Sequence, residues 1–145
     1  MFNQSRCRII AIGKIRKPWI KSGLSIYQKR LPKLSITEVR SSDINKEASA
    51  IRSLIKTEEL VITLSEEGES LNSLAFSKQL QKLGSKRLVF IIGGANGLDP
   101  DIKTTAHFRL SLSPLTFPHE LARLLLIEQL YRAITIIQGG PYHRS

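Results

Sequence analysis

The side chains best suited to chemistry stand together near the end of the printed sequence. Tyr142, His143 and Arg144 follow two glycines and a proline in the stretch "QGGPYHRS". An imidazole titrates near neutrality, a guanidinium binds anions, and a tyrosine ring stacks on flat ring systems. The sequence shows no Ser-His-Asp set, no paired carboxylates and no metal-ligand spacing. Hydrolytic and metal chemistry therefore have no support, and we expect no bound metal.

Three further stretches join an apolar strand pattern to the element that follows. In chain order they are "TLSEEG" (63–68), "IIGGANGLDP" (91–100) and "LSLSPLTFPH" (110–119). Ligands of open α/β sheets bind beyond the carboxyl ends of the strands, so these junctions are candidate binding loops. The glycine-rich junction lacks the later glycines of the dinucleotide pattern and the G-K-[ST] of a P-loop. We expect bare backbone lying against a nucleoside rather than a phosphate cradle, although a tight turn needing positive φ explains the glycines equally well.

Strand and helix patterns alternate along the chain. The strands are predicted at "CRIIAIGK", "LSITEVR", "LVITL", "RLVFII" and "FRLSLS", and the third is expected to break at "SEEGES". The helices are predicted over about 19–31, 43–56, 71–83, 101–106 and 118–137. This alternation is typical of a single α/β domain over residues 1–145, with a mostly parallel sheet flanked by helices on both faces.

The last predicted helix is apolar around nearly its whole circumference. Its apolar residues are Leu124, Leu125, Leu126, Ile127, Leu130 and Ile134. Such a helix must be buried on more than one side, and in a chain of this size a second subunit supplies the extra cover. We therefore predict a homodimer with this helix at or near the interface. Glu128 and Arg132, at i,i+4, are expected to pair with each other. His119 and Arg123 are also at i,i+4, on roughly the opposite face near the helix start.

Positive charge is concentrated in the first quarter of the sequence. The net charge is +10, and residues 1–37 hold nine Lys or Arg without an acid. A block of one sign favours a polyanion through counterion release, so we interpret the segment from Lys14 to Lys33 as a nucleic-acid surface, with Lys21 and Lys29 as phosphate contacts. A solubilising surface is the alternative.

Other compartments and partners receive no support from the sequence. No apolar run is long enough for a bilayer, and the N-terminal stretch lacks the apolar region and cleavage site of a signal peptide. Cys7 is the single cysteine, so there is no internal disulfide. We expect a cytoplasmic protein with no membrane partner.

At this point the motifs resemble a known family. "FIIGGANGL", then "LSLSPLTFPHELARLLLIEQLYRA", then "PYHR" occur in the order typical of the RlmH-type SPOUT methyltransferases, and "IIAIGK" and "YQKRLPK" agree with it. The resemblance implies S-adenosyl-L-methionine as methyl donor and methylation at N3 of a pseudouridine in large-subunit (23S) ribosomal RNA, on the ribosome. It also implies a homodimer and a C-terminal trefoil knot.

The resemblance assigns cofactor-binding residues to the same three junctions. Carried over by position, they are Leu64, Gly93, Gly94, Leu112, Ser113, Pro114, Leu115, Thr116 and Phe117. The methyl donor carries no phosphate, which agrees with a glycine loop that lacks the phosphate fingerprints.

Methyl transfer from a sulfonium needs positioning and loss of the acceptor's proton. We therefore expect Tyr142, His143 and Arg144 to act at the reaction site, Tyr142 by stacking and His143 by contacting RNA or accepting a proton. His119, Arg123, Lys14, Lys21 and Lys29 are expected to bind RNA. The alternative function is a non-enzymatic RNA- or ribosome-binding module, which explains the charge but leaves the three junctions unused.

Overall fold

Within residues 2–144, which the computed structural model describes, five strands and five helices alternate as the sequence predicts. Met1 and Ser145 lie outside the described residues. The strands are β1 (Cys7–Ile12), β2 (Ser35–Val39), β3 (Glu59–Ser70), β4 (Arg87–Ile92) and β5 (Phe108–Ser111). The helices are α1 (Pro18–Arg30), α2 (Ile44–Leu54), α3 (Ser73–Lys82), α4 (Pro100–Thr105) and α5 (His119–Ile137), and a single 3₁₀ turn, Gln4–Arg6, precedes β1.

The strands form one sheet in the order β2-β1-β4-β3-β5, and every pairing is parallel. In the central pair, Ile9 of β1 lies beside Phe90 of β4. Parallel strands need crossover connections, and those connections place helices on the sheet faces. The prediction of a mostly parallel sheet covered on both sides is therefore confirmed.

Two apolar layers cover the two faces of the sheet. Because successive strand residues point to opposite faces, Ile9 and Phe90 pack with α1, α3 and α5, whereas Ile10 and Ile91 pack with α2 and α4. All four side chains are fully buried. Burial on both faces explains why the central strands read as unbroken apolar runs rather than as an alternation.

The structure corrects the predicted end of the third strand. β3 does not break at "SEEGES" but continues to Ser70, with a register shift against β5 between Leu64 and Glu69. Gly68 permits the close approach, since a Cβ there would lie 2.7 Å from the Arg109 carbonyl oxygen. A bulge absorbs extra residues while pairing continues. The polar run therefore belongs to the sheet, and β5 ends two residues earlier than predicted.

α5 crosses the sheet and packs against α1 and α3. Gly23 of α1 lies under Leu124 of α5, where a Cβ would come within 3.1 Å of a leucine methyl group. The trefoil knot stays a prediction, because strand order and pairing do not define whether a chain passes through a loop. No helix within residues 2–144 has the length and apolar character needed to cross a membrane.

Candidate functional site

A cavity of about 710 Å³ lies at the carboxyl ends of β4 and β5, beside residues 64–67 of β3, where the pairing of β3 with β5 shifts its register. All three predicted junctions contribute to its wall. The predicted residues that line it are Leu64, Gly93, Gly94, Leu112, Ser113, Leu115, Thr116 and Phe117. Pro114 is exposed and is absent from this lining. The structure thus brings together eight of the nine residues assigned to a cofactor, in the place that the strand ends predict.

The glycine loop of this cavity folds back on itself. Gly97 has a positive φ of 77°, and its N–H donates to the Gly94 carbonyl over 3.0 Å. A Cβ on Gly93 would lie 2.7 Å from the Gly97 carbonyl carbon, and one on Gly94 would lie 2.9 Å from a methyl of Ile12. The glycines therefore serve a tight turn, and the same turn leaves backbone at the cavity wall.

The loop between β5 and α5 is tied to the β3 junction. The Thr116 hydroxyl donates a hydrogen bond to the Glu66 carboxylate, and the Leu115 N–H donates to Ser113 Oγ over 3.0 Å. Glu66 and Glu67 line the cavity, together with a single lysine, Lys103. Both acids lie in the junction 63–68 that the sequence predicts as a binding loop, but the sequence assigns them no role, because the partner of Glu66 lies 50 residues away along the chain.

α5 begins at the cavity, and its first turn is fixed to the loop between β1 and α1. His119 lines the cavity, and the buried Glu120 carboxylate accepts the N–H groups of Arg16 over 2.9 Å and of Lys17 over 3.1 Å. The hydrogen bond from the Lys17 N–H lowers the pKa of Glu120. Burial of the carboxylate opposes this effect, and the Arg16 N–H and the nearby His119 add to it. His119, predicted to contact RNA, thus stands at the cavity itself.

Arg123 is buried and takes part in contacts within the chain. Its side chain is only 3% exposed, and the guanidinium donates to Glu38 over 2.6 Å and to the Gly13 carbonyl over 2.9 Å. These bonds join α5 to the ends of β1 and β2. The role of Arg123 in RNA binding stays a prediction, whereas its ion pair was not predicted: the partner Glu38 is 85 residues away in sequence, and no local pattern reveals it.

The C-terminal cluster, which we define as Tyr142, His143 and their partners Tyr27, Glu128 and Arg132, is ordered against α5. The Tyr142 hydroxyl donates to Glu128 over 2.8 Å and is 3.1 Å from the Tyr27 hydroxyl. Because the single hydrogen of the Tyr142 hydroxyl points to Glu128, the Tyr27 hydroxyl donates to Tyr142. Burial, followed by the bonds to Tyr27 and Glu128, raises the pKa of Tyr142 above its ordinary value. Tyr142 therefore remains a protonated phenol.

Arg132 stands at the centre of this cluster. It pairs with Glu128 over 2.6 Å, which confirms the predicted i,i+4 pair, and its guanidinium lies 4.8 Å from the centroid of the Tyr142 ring. A second guanidinium nitrogen is 3.1 Å from His143 Nδ1. Since arginine only donates, Nδ1 accepts, and a neutral His143 ring carries its hydrogen on Nε2. Arg144 is exposed.

The cluster and the cavity have no residue in common within one chain. On α5, His119 and Ala122 line the cavity, whereas the cluster begins at Glu128, six positions or about 9 Å further along the axis. Tyr142, His143 and Arg144 are absent from the lining of their own chain's cavity. The predicted phosphate contacts Lys14, Lys21 and Lys29 are all exposed.

Comparison with known proteins agrees with this geometry. A family model described as predicted SPOUT methyltransferase matches residues 5–143. The chain belongs to the SPOUT methyltransferase family. It is 65% identical to the protein named ribosomal RNA large subunit methyltransferase H in Prochlorococcus marinus (strain MIT 9211), over the full length of both. The protein of the same name in Synechococcus sp. (strain CC9311) is 59% identical over 99% of each chain.

The fold also occurs among solved structures. A probable methylase family protein from Haemophilus influenzae Rd KW20 superimposes with a TM-score of 0.64, covering 99% of this chain and 72% of that one. The two sequences are 12% identical, so this likeness concerns the fold.

Proposed function

We propose that this protein is an S-adenosylmethionine-dependent methyltransferase that modifies large-subunit ribosomal RNA. One observation carries the proposal: the three strand-end junctions form one cavity whose lining combines glycine backbone, apolar side chains and two carboxylates. A ligand with an adenine ring and a cationic methionine end, and without phosphates, matches that lining. The names of the full-length relatives supply the substrate class.

The residues present fit the cofactor by their chemistry. Leu64, Leu112 and Phe117 would contact the apolar parts of the cofactor, and the backbone at Gly93 and Gly94 would face its polar atoms. Glu66 and Glu67 would favour its positive charges, because opposite charges attract strongly in a partly enclosed site. When bound, S-adenosylmethionine supplies an electrophilic methyl group on a positively charged sulfur.

The acceptor is N3 of a pseudouridine. This nitrogen lies between two carbonyls and must lose its proton before it attacks, so an imidazole close to the acceptor accelerates the step. His119 offers an imidazole at the cavity of the same chain. His143, whose Nδ1 accepts from Arg132, presents its Nε2–H as a donor that binds a carbonyl of the nucleotide. Arg144 contacts RNA from the same segment.

The active site is shared between two subunits of a homodimer. No residue of the cluster lines the cavity of its own chain, and the cluster begins about 9 Å beyond that cavity along α5, so the tail would reach a cavity in a second copy of the chain. α5 keeps half-buried apolar side chains such as Leu121 and Leu125 on its surface, which a partner helix would cover. The C-terminal segment of one subunit then completes the cavity of the other.

Mixing two inactive variants tests the shared site. Ala95→Trp fills the cavity from an exposed position, and deletion of residues 142–145 removes the tail while leaving the sheet intact. Each homodimer should lack methylation. Mixed dimers contain one unaltered cavity beside one unaltered tail, so activity should return on mixing. A mixture that stays inactive although mass spectrometry shows mixed dimers would contradict sharing.

The enzymatic function is separated from the alternative, a non-enzymatic RNA-binding module, by calorimetry with S-adenosylmethionine and its demethylated product. Binding of both by the wild type, lost in Ala95→Trp, is expected. Mass spectrometry of ribosomal RNA from a strain lacking the protein should then show one missing methyl group. Absence of cofactor binding would favour the module. A cytoplasmic location, where ribosomes are found, follows from the substrate.

The role of His143 has its own test. His143→Ala should lower the single-turnover rate while cofactor affinity remains that of the wild type. His143→Gln, which keeps a donor group, should recover part of the rate if the ring acts as a donor. Equal rates in wild type and His143→Ala would remove this residue from the mechanism.

A further inference from the structure

A second cavity, of about 400 Å³, lies beside the first and has no lining residue in common with it. α1 contributes Lys21, Leu24 and Gln28 to its wall, spaced so that they share one helix face. The remaining wall consists of Lys14 and Ile15 after β1, Ile36 and Glu38 on β2, and Arg123 on α5. Three of its eight lining side chains are therefore cations and one is an anion.

The charges leave an excess of positive potential in this cavity. Glu38 is already paired with Arg123 over 2.6 Å, whereas neither Lys14 nor Lys21 forms an ion pair within residues 2–144. Both lysines are exposed, so their ammonium groups can reach a ligand at the cavity mouth. The cavity is therefore suited to an anion.

A buried donor in the wall indicates a ligand rather than a solvated surface. Arg123 Nε is buried and has no hydrogen-bond partner among the described residues, although the two other guanidinium nitrogens are bonded. An unsatisfied buried donor costs free energy, and such groups are rare in folded proteins. An oxygen of a bound anion would satisfy it.

The two cavities adjoin at the end of β1 and the first turns of α5. The side chain of Ile12 contacts Gly94 of the first cavity, while the carbonyl of the following Gly13 accepts from Arg123 of the second. On α5, His119 and Arg123 are one turn apart, about 6 Å along the axis. The backbone of an RNA strand with one base in the first cavity would therefore pass the second cavity.

We infer that the second cavity binds a phosphodiester of the RNA strand next to the target nucleotide. The inference rests on the proposed function. Lys14, Lys21 and the free Nε–H of Arg123 contact phosphate oxygens, and the apolar Leu24 and Ile36 contact the attached sugar. Phosphate contacts fix the register of a strand without reading its sequence. The site would therefore place the target base rather than select it.

Single-charge variants separate a built site from a diffuse basic surface. Lys21→Ala removes a cavity cation, Lys29→Ala removes an exposed cation of the same helix outside the cavity, and Lys78→Ala on α3 is the control. All three lower the net charge equally. Lys21→Ala should raise KM for the ribosomal RNA substrate about tenfold, Lys29→Ala less than about threefold and Lys78→Ala not at all, with kcat and cofactor affinity retained. Equal effects of Lys21→Ala and Lys29→Ala would overturn the inference.

A direct measurement uses the Arg123 Nε–H resonance in proton–nitrogen correlation spectra of the intact protein. The dinucleotide UpU, which carries one phosphodiester, should shift this resonance to saturation, and Lys21→Ala should weaken the response. A shift with inorganic phosphate but none with UpU would assign the cavity to a free anion and overturn the RNA contact. No shift with either would overturn the anion site.

These titrations also separate the two hypotheses. A wild-type protein that methylates no ribosomal RNA contradicts the proposed function, while the UpU titration still reports on the second cavity. A wild-type protein that methylates but gives no UpU response contradicts only the second cavity.

Discussion

The hydroxyl of Tyr142 donates a 2.8 Å hydrogen bond to Glu128, a residue 14 positions earlier on the inner part of α5. The chain reverses direction at Gly139, which has a positive φ of 74°, and the hydrogen bond holds the following segment against the helix that precedes it. Glycine at such a position ends a helix at no steric cost. Residues 142 and 143 are therefore held by specific partners rather than by chain connectivity alone.

Tyr142→Phe tests the contribution of that hydroxyl. The variant keeps the ring packed edge-on against Tyr131 at 4.8 Å but loses the bonds to Glu128 and Tyr27. We expect the free energy of unfolding to fall by about 1 kcal/mol, as for a typical buried hydrogen bond. Chemical denaturation measures it. Tyr131→Phe is the control, because its hydroxyl has no partner within residues 2–144; an equal loss there would contradict the assignment.

Glu120→Ala should release the loop between β1 and α1. The carboxylate accepts two backbone N–H groups, so its removal leaves both without that acceptor. We expect a loss of about 1–3 kcal/mol in the free energy of unfolding and faster amide hydrogen exchange at Arg16 and Lys17. Glu58→Ala, at an exposed position, serves as control. Unchanged exchange at the two amides would show that the carboxylate does not anchor the loop.

The ion pair between Arg8 and Glu59 should make stability depend on pH. Burial opposes the charge of Glu59, but the hydrogen bond from Arg8 and the Lys56 N–H together lower its pKa below the usual value. A carboxylate with a lowered folded pKa stabilises the protein above its unfolded pKa, and the stabilisation is lost as pH falls through the folded value.

Glu59→Gln should therefore lower the free energy of unfolding most at neutral pH. We expect a loss of about 3 kcal/mol there, because the partly buried Arg8 guanidinium loses its buried, charged partner. The difference from wild type should shrink as the pH falls below about 4.5, the usual glutamate value. Urea denaturation over this pH range measures it, with Glu58→Gln as control. A difference that is constant with pH would exclude this pair as its source.

Cys7 should be unreactive in the folded protein. Its side chain is buried at the start of β1, and burial raises the pKa of the thiol to about 12. Alkylating reagents attack the thiolate, so at pH 8 iodoacetamide should modify the native chain far more slowly than the denatured one. Ser5→Cys adds an exposed thiol two residues away that should react rapidly. Rapid native labelling of Cys7 would indicate local opening of β1.

Local patterns account for the features that sequence analysis predicted. The alternation of apolar runs and helical periodicities depends on residues close in sequence, and so does the pair of Glu128 and Arg132. The three junctions were recognisable because parallel strands bring their carboxyl ends to one edge. Their convergence on one cavity is a consequence of topology, which the alternation already implies.

Contacts between distant segments account for what the sequence did not reveal. Arg123 is held by Glu38 across 85 residues, and Thr116 by Glu66 across 50. The polar end of β3 pairs with β5 only because a bulge and Gly68 permit it. None of these relationships has a period or a motif, so the sequence does not reveal the burial of Arg123, and it predicts a loop at the end of β3.

α5 fixes the distance between the first cavity and the C-terminal cluster. Its 19 residues start at the first cavity and carry the partners of the C-terminal cluster at fixed intervals. One residue inserted between His119 and Glu128 would advance the cluster by about 1.5 Å and rotate it by about 100°. Loops absorb length changes gradually, but a helix allows only discrete steps. The number of residues between His119 and Glu128 therefore determines how two subunits must be arranged for the tail of one to complete the cavity of the other.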